Sequence, residues 1–293
     1  MTRAQEWPIM IATESSTGRA GPWRHPFQTH HDHSMQTPIN SFKVALQQKR
    51  PQIGFWMGLA NPVTAEICAG AGFDWLLIDG EHSPNDLQSI LAQLQAIAAY
   101  PQTHPVARIP VGHGHVGVAL IKQYLDLGLQ TLLVPMVETP EQARDLVQAT
   151  LYPPLGQRGM GGARGSRWGR LAHHGLEAND QICLLVQVET QRGLDNIEAI
   201  ATVEGVHGVF IGPSDLSASL GFVGQQDHPQ VRAAIEEAFA KIIKAGKAPG
   251  FLTLDEALSR HYLGKGGVFM AVGTDHIMFA RQTSALAQRF KAA

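Results

Sequence analysis

An eight-unit strand–helix barrel is the fold this sequence predicts, and three observations predict it. First, eight short runs are nearly continuous in apolar character: IGFWMG (53–58), FDWLLID (73–79), PVARI (105–109), TLLVPMV (131–137), ICLLVQVE (182–189), GVFIG (208–212), GFLTL (250–254) and GVFMAVG (267–273). Parallel strands covered on both faces read this way, whereas half-exposed strands alternate. Second, a helical segment follows each run, and the whole series fits the ~250 residues of one (β/α)8 TIM barrel. Third, the turn after the first run, GLANPVTAE, carries no GxGxxG, the signature a doubly wound dinucleotide fold would place there.

The helical segments carry their own signals. Leu87, Ile90, Leu91, Leu94 and Ile97 repeat at helical spacing, as do Val231, Ile235, Phe239 and Ile242. Ser83-Pro84 reads as an N-cap with proline at N1, and Thr139-Pro140 with Gln142 as a capping box. Gly246 is placed to end a helix over 229–245.

Composition narrows the class. The chain has 293 residues, 44% hydrophobic and 16% charged, with 23 Lys+Arg against 25 Asp+Glu. A net charge of −2 excludes a basic nucleic-acid binder and an acidic disordered chain. No apolar run approaches the ~18 residues of a membrane span. Cys68 and Cys183 lie in apolar contexts (AEICAG, QICLLV) and read as buried core thiols of a cytoplasmic protein. Residues 1–40 mix Pro, Gly, Ser, Thr and His without a period, including His25, His30, His31 and His33. They are expected to form a disordered N-terminal extension, with Met35 as an alternative start and residues 41–293 as the barrel domain.

A barrel places chemistry at the C-terminal ends of its strands. There the sequence puts Asp79, Glu81 and His82, then Arg108, Glu138, Gln187, Glu189, Ser214 and Asp215. Glu189 and Asp215 end neighbouring runs, so their carboxylates can converge on one hard divalent cation. The plain alternative pairs Glu189 with Arg192 and lets Asp215 cap a turn. His82 follows Asp79 by three residues; a carboxylate on one side and a helix N-terminus on the other suit a general base titrating near neutrality. A loop histidine satisfied by backbone is the competing reading. Arg108 interrupts an apolar strand and must find an anion, whether substrate, Asp79 or Glu81.

Lysines argue against Schiff-base chemistry: Lys122, Lys241, Lys244 and Lys265 fall on helices or their ends, and Lys247 precedes the seventh run. The Arg/Gly-rich stretch 152–170 invites a phosphate-binding reading through Arg158, Arg164, Arg167 and Arg170. Its position before a strand puts it on the opposite face, where an interface or ordered-loop role is expected.

Five segments together resemble the HpcH/HpaI aldolases: PQIGFWMGLANPVTAEICAGAGFDWLLIDGEHSPND, QTLLVPMVETPEQAR, YPPLGQRGMGG, LVQVETQRGLDNI and VEGVHGVFIGPSDLSASLG. The resemblance spans roughly residues 41–290. It implies a modified barrel whose last helix packs against a neighbouring subunit, in a hexameric trimer of dimers. It implies Glu189 and Asp215 as ligands of Mg²⁺, Mn²⁺ or Co²⁺, His82 with Asp79 as the base pair, and Arg108 on the pyruvyl oxygen. Gln187 becomes a polar contact near the metal, and the Ser214 and Asp215 amides a cradle for the substrate carboxylate. The implied reaction is reversible retro-aldol cleavage of 4-hydroxy-2-oxoheptanedioate to pyruvate and succinate semialdehyde, a step of aromatic catabolism. The alternatives are a sugar acid such as 2-dehydro-3-deoxyglucarate, or a CoA thioester. One segment departs from the family: PVGHGHVGVALIK replaces a short Asn-Asp-Pro-type turn after Arg108 and brings His113 and His115 near the rim.

Overall fold

Eight strands form, and all of them pair in parallel. In the computed structural model, which describes residues 35–291, β1 (Gln52–Met57), β2 (Trp75–Asp79), β3 (His104–Arg108), β4 (Thr131–Val134), β5 (Cys183–Val188), β6 (Val206–Ile211), β7 (Ala248–Leu252) and β8 (Phe269–Thr274) pair in sequence order. β8 returns to β1, so the barrel closes and leaves no edge. The expectations for residues 1–34, including the four histidines there, lie outside the described residues.

Helices cover the barrel in chain order: α1 (Ser41–Gln47), α2 (Pro62–Gly70), α3 (Leu87–Ile97), α4 (Gly114–Asp126), α5 (Pro140–Thr150), α6 (His174–Gln181), α7 (Gln191–Asp195), α8 (Ile197–Ala201), α9 (Pro213–Ser219), α10 (Pro229–Lys244), α11 (Glu256–Gly264) and α12 (Asp275–Lys291). Two of the expected caps form. Thr139 and Gln142 make a reciprocal capping box on α5, and Gly246, at φ +77°, follows α10. Ser83-Pro84 does not open α3. Asp86 caps it instead, accepting from the Ser89 amide while the Ser89 hydroxyl accepts from the Asp86 amide. The helix therefore starts at Leu87, three residues after the proline. Asn40, expected outside the fold, is buried as the cap of α1 and binds Gln181, Gln130 and Thr131.

The core divides into two shells because strand side chains alternate. Trp75 and Leu77 on β2 join Val106, Leu133, Cys183, Leu185, Phe210 and Phe269 inside the barrel. Leu76 and Ile78 face the helices with Ala107, Leu132, Leu184 and Val186. Phe42 of α1 packs with the inner shell from the N-terminal pole, against Trp75, His104 and Phe269. Both cysteines are free and buried, and burial pushes the Cys68 and Cys183 thiols up to about 11 and about 12.

Candidate active site

The strand alternation that fills the barrel also aims the polar residues. Asp79 shares the inward parity of Trp75 and Leu77, and Arg108 shares that of Val106. Gln187 and Glu189 continue the inward series of Cys183 and Leu185. The inner shell therefore changes from apolar to charged at the C-terminal mouth. A cavity of about 730 Å³ opens there. Asp79, His82, Arg108, Gln187, Glu189, Ser214 and Asp215 all line it, together with Trp56, Phe210, Gln226, His276 and Arg281. Of the residues that the sequence places at the strand ends, all but Glu81 and Glu138 line this one cavity.

Asp79 and Arg108 are register partners on β2 and β3. The guanidinium donates to both carboxylate oxygens, Nε to Oδ1 at 2.9 Å and Nη2 to Oδ2 at 2.6 Å. Trp56 Nε1 donates to Asp79 Oδ2 at 3.0 Å, and the Glu81 and His82 amides donate to Oδ1. Burial alone would raise the Asp79 pKa, but these hydrogen bonds and the Arg108 charge outweigh it and hold the carboxyl below its ordinary value. Glu81 closes the other side of Arg108, with Oε2 2.8 Å from Nη1. Burial raises Glu81, against the pull of Arg108 and His82, and the neighbouring Asp79 and Asp215 add to the rise. Of the five guanidinium N–H groups, Asp79 takes two and Glu81 lies against Nη1, so two remain for a substrate oxygen. Both structural partners considered for Arg108 are real, and the Trp56 ring lies 4.9 Å from its Cζ.

His82 departs from expectation in two ways. Its ring does not pair with Asp79: only the His82 amide reaches that carboxylate, at 3.3 Å, because both Asp79 oxygens are already occupied. The nearest carboxylate to the ring is Glu81, 3.9 Å from Nε2, and the side chain is 67% exposed. Nor does His82 stand at a helix N-terminus, since α3 begins after Asp86.

Glu189 is 2% exposed. Its Oε1 accepts from the Met136 amide at 2.9 Å and its Oε2 from the Gln187 side-chain amide. Met136 holds a left-handed φ of +57°, a strained backbone at the place where its N–H must turn toward Glu189. Arg192 pairs with Glu138, not with Glu189, so the salt-bridge alternative fails. Left without a cationic partner, Glu189 is pushed up to about 7, chiefly by burial; Gln187 and Met136 oppose this, and Glu81 and Asp215 add to it. Gly212 gives the carboxylate its room, because a Cβ there would lie 2.4 Å from Oε2.

Asp215 sits in the first turn of α9, where the Ser214 and Asp215 amides have no intrahelical acceptor. Gln187 Oε1 is buried with no hydrogen-bond partner. Two carboxylates, one of them protonated more readily for want of a cation, and an orphaned amide oxygen are a donor set that fits one hard divalent ion completed by water and substrate. Among the described residues no group of three His, Cys, Asp or Glu side chains is arranged for a metal.

Sequence reasoning missed Trp56, Met136, Asn85 and Asp275. Asn85 donates to the Asp79 carbonyl, and Asp275 accepts from the Gly58 and Leu59 amides, which ties α12 to the loop after β1. Trp56 shares inward parity with its neighbours and was legible; the φ of Met136 was not. His113 and His115 do not line the cavity, although His113 Nε2 lies 3.3 Å from the Met136 carbonyl.

Known proteins resemble this chain over most of its length. The family model for HpcH/HpaI aldolase/citrate lyase matches residues 52–281. The chain is 63% identical over 254 residues to a hydroxypyruvate/pyruvate aldolase of Deinococcus radiodurans, covering 86% of this chain and 90% of that one. It is 55% identical over 255 residues to a 4-hydroxy-2-oxo-heptane-1,7-dioate aldolase of Shigella sonnei, covering 86% and 95%. Among solved structures, a HpcH/HpaI aldolase/citrate lyase family protein from Burkholderia cenocepacia superposes with a TM-score of 0.82 at 38% identity, covering 86% of this chain and all of that one. The closed parallel barrel and the family match across it make this chain a member of the HpcH/HpaI aldolase/citrate lyase family.

Proposed function

We propose that this aldolase cleaves 4-hydroxy-2-oxoheptanedioate reversibly to pyruvate and succinate semialdehyde, with a divalent cation held by Glu189 and Asp215. The observation that carries the reading is the convergence of Glu189, Asp215, Arg108 and His82 on one cavity at the C-terminal mouth. When bound, Mg²⁺, Mn²⁺ or Co²⁺ supplies a Lewis acid to the 2-oxo acid end of the substrate. The first-turn amides of Ser214 and Asp215 receive the C1 carboxylate. Arg108, held in place by Asp79 and Glu81, directs its remaining N–H groups at the C2 oxygen and stabilises the charge that develops there. His82 takes the C4 hydroxyl proton. The C3–C4 electron pair then passes into the pyruvate enolate as the aldehyde leaves, and the proton held on His82 is returned to C3, which completes pyruvate and restores the base.

Two further features support the substrate. His276 and exposed Arg281 of α12 line the same cavity, and the Arg281 guanidinium offers positive charge to the distal carboxylate of a seven-carbon diacid. No lysine lines the cavity; Lys43, Lys49 and Lys247 bond backbone carbonyls at the opposite pole. The partners that follow are a small 2-oxo acid, an aldehyde and further copies of this chain. Exposed Met278, Phe279, Leu286 and Phe290 on α12 suit the hexameric packing. No helix among the described residues is long and apolar enough to cross a membrane.

A panel of 4-hydroxy-2-oxo acids tests the substrate. The diacid should give the highest kcat/KM for pyruvate release, and Arg281→Gln should lower that preference through KM. Equal turnover of 4-hydroxy-2-oxovalerate, or higher turnover of 2-dehydro-3-deoxyglucarate, would replace the diacid.

A further inference from the structure

A second cavity, of about 300 Å³, lies at the N-terminal pole of the barrel, remote from the mouth just described. It is bounded by the ends of α3 and α4, the start of β3 and the Arg/Gly-rich segment before α6. Five groups capable of positive charge line it, Arg158, Arg164, Arg167, His174 and His104, of which burial keeps His104 neutral by lowering its pKa to about 3. We infer that this cavity is a binding site for a small oxyanion, of the phosphate or carboxylate type, separate from the catalytic mouth.

The charges there are not balanced by the protein. Arg158 is 4% exposed, and its Nη2 pairs with Asp126 at 2.9 Å, but its Nε is buried with no partner. Both ring nitrogens of His174 are likewise buried and unpartnered. Arg164 has only the Leu127 carbonyl as an acceptor, and the adjacent Arg167 guanidinium adds repulsion that, after burial, lowers its pKa. Among the described residues Asp126 is the one carboxylate paired with this group, so three guanidiniums line the cavity with a deficit of negative charge. A buried donor without an acceptor costs about 1–3 kcal/mol, more when it is charged, which gives an entering anion its driving force. Packing holds the donors ready before any anion arrives: the Arg158 guanidinium stacks 4.3 Å from the Tyr152 ring, and His174 meets the same ring edge-on. Burial, and then the Arg158 charge, holds the His174 pKa below its ordinary value, so the ring offers one N–H; that N–H and the arginine N–H groups are donors suited to an oxyanion.

Titration of the metal-free enzyme with inorganic phosphate, and separately with acetate, at constant ionic strength tests this. Calorimetry should show saturable binding of one anion per chain. The paired substitution Arg164→Gln/Arg167→Gln should weaken it at least tenfold, whereas Arg108→Gln at the mouth should leave it unchanged. Arg167→Gln alone removes no hydrogen bond of the folded chain and should still weaken binding severalfold, should the paired variant not fold. Stronger binding of phosphate would assign a phosphate-type ligand, and stronger binding of acetate a carboxylate. Absence of saturable binding, or binding lost in Arg108→Gln and kept in Arg167→Gln, would overturn the site.

Discussion

Arg108 at the end of β3 clamps Asp79 at the end of β2 through two parallel hydrogen bonds of 2.9 and 2.6 Å, both partners buried inside the barrel mouth. The pair positions the guanidinium; it does not activate His82. Asp79→Ala removes one side of a buried ion pair, which typically costs about 3–5 kcal/mol. The loss should fall at the low end because Glu81 still faces Arg108. Urea unfolding of Asp79→Ala measures the loss, and unchanged stability would show that the clamp contributes nothing.

His82→Ala should retain metal affinity and the fold, since the ring makes only a distant contact with Glu81. Its kcat should fall by ~10²–10⁴, the usual contribution of a general acid–base group. Steady-state kinetics at saturating Mn²⁺ check this; a wild-type rate would remove His82 from the proton path.

Gly212→Ala should damage the site without unfolding the barrel. The added Cβ would lie 2.4 Å from Glu189 Oε2 and 3.1 Å from Gln187 Nε2, so the carboxylate must move. Mn²⁺ affinity, read by calorimetry, should fall at least tenfold with an unaltered circular dichroism spectrum.

The pH dependence follows from Glu189. Its folded pKa, raised to about 7 from an ordinary 4.5, means that the native state holds a proton the unfolded chain has already released. Stability of the metal-free protein therefore falls as pH rises from about 4.5 to 7, by on the order of 3 kcal/mol from this group. Glu189→Gln should abolish that part of the slope in denaturant titrations. For the same reason metal affinity should climb across this range with release of a proton.

Most of the barrel and much of its mouth were legible in the sequence. The continuous apolar runs gave the strands, and their parity already put Asp79, Arg108, Gln187 and Glu189 inside. What remained hidden depended on which donor reaches which acceptor. The spacing of Asp79 and His82 suggested a pair, yet Trp56 and Arg108, distant in sequence, occupy the carboxylate first. The start of α3 was misplaced because Asp86 and Ser89 form a reciprocal box that outcompetes Ser83-Pro84. The turn at Met136 has no glycine to announce its left-handed backbone.

Pyruvate release from 4-hydroxy-2-oxoheptanedioate, followed before and after EDTA and then with Mn²⁺ restored, tests the whole account most directly. Activity should vanish on chelation and return with metal, and Glu189→Gln and Asp215→Asn should both resist rescue. Turnover that survives EDTA, with inactivation by borohydride in the presence of pyruvate, would contradict it.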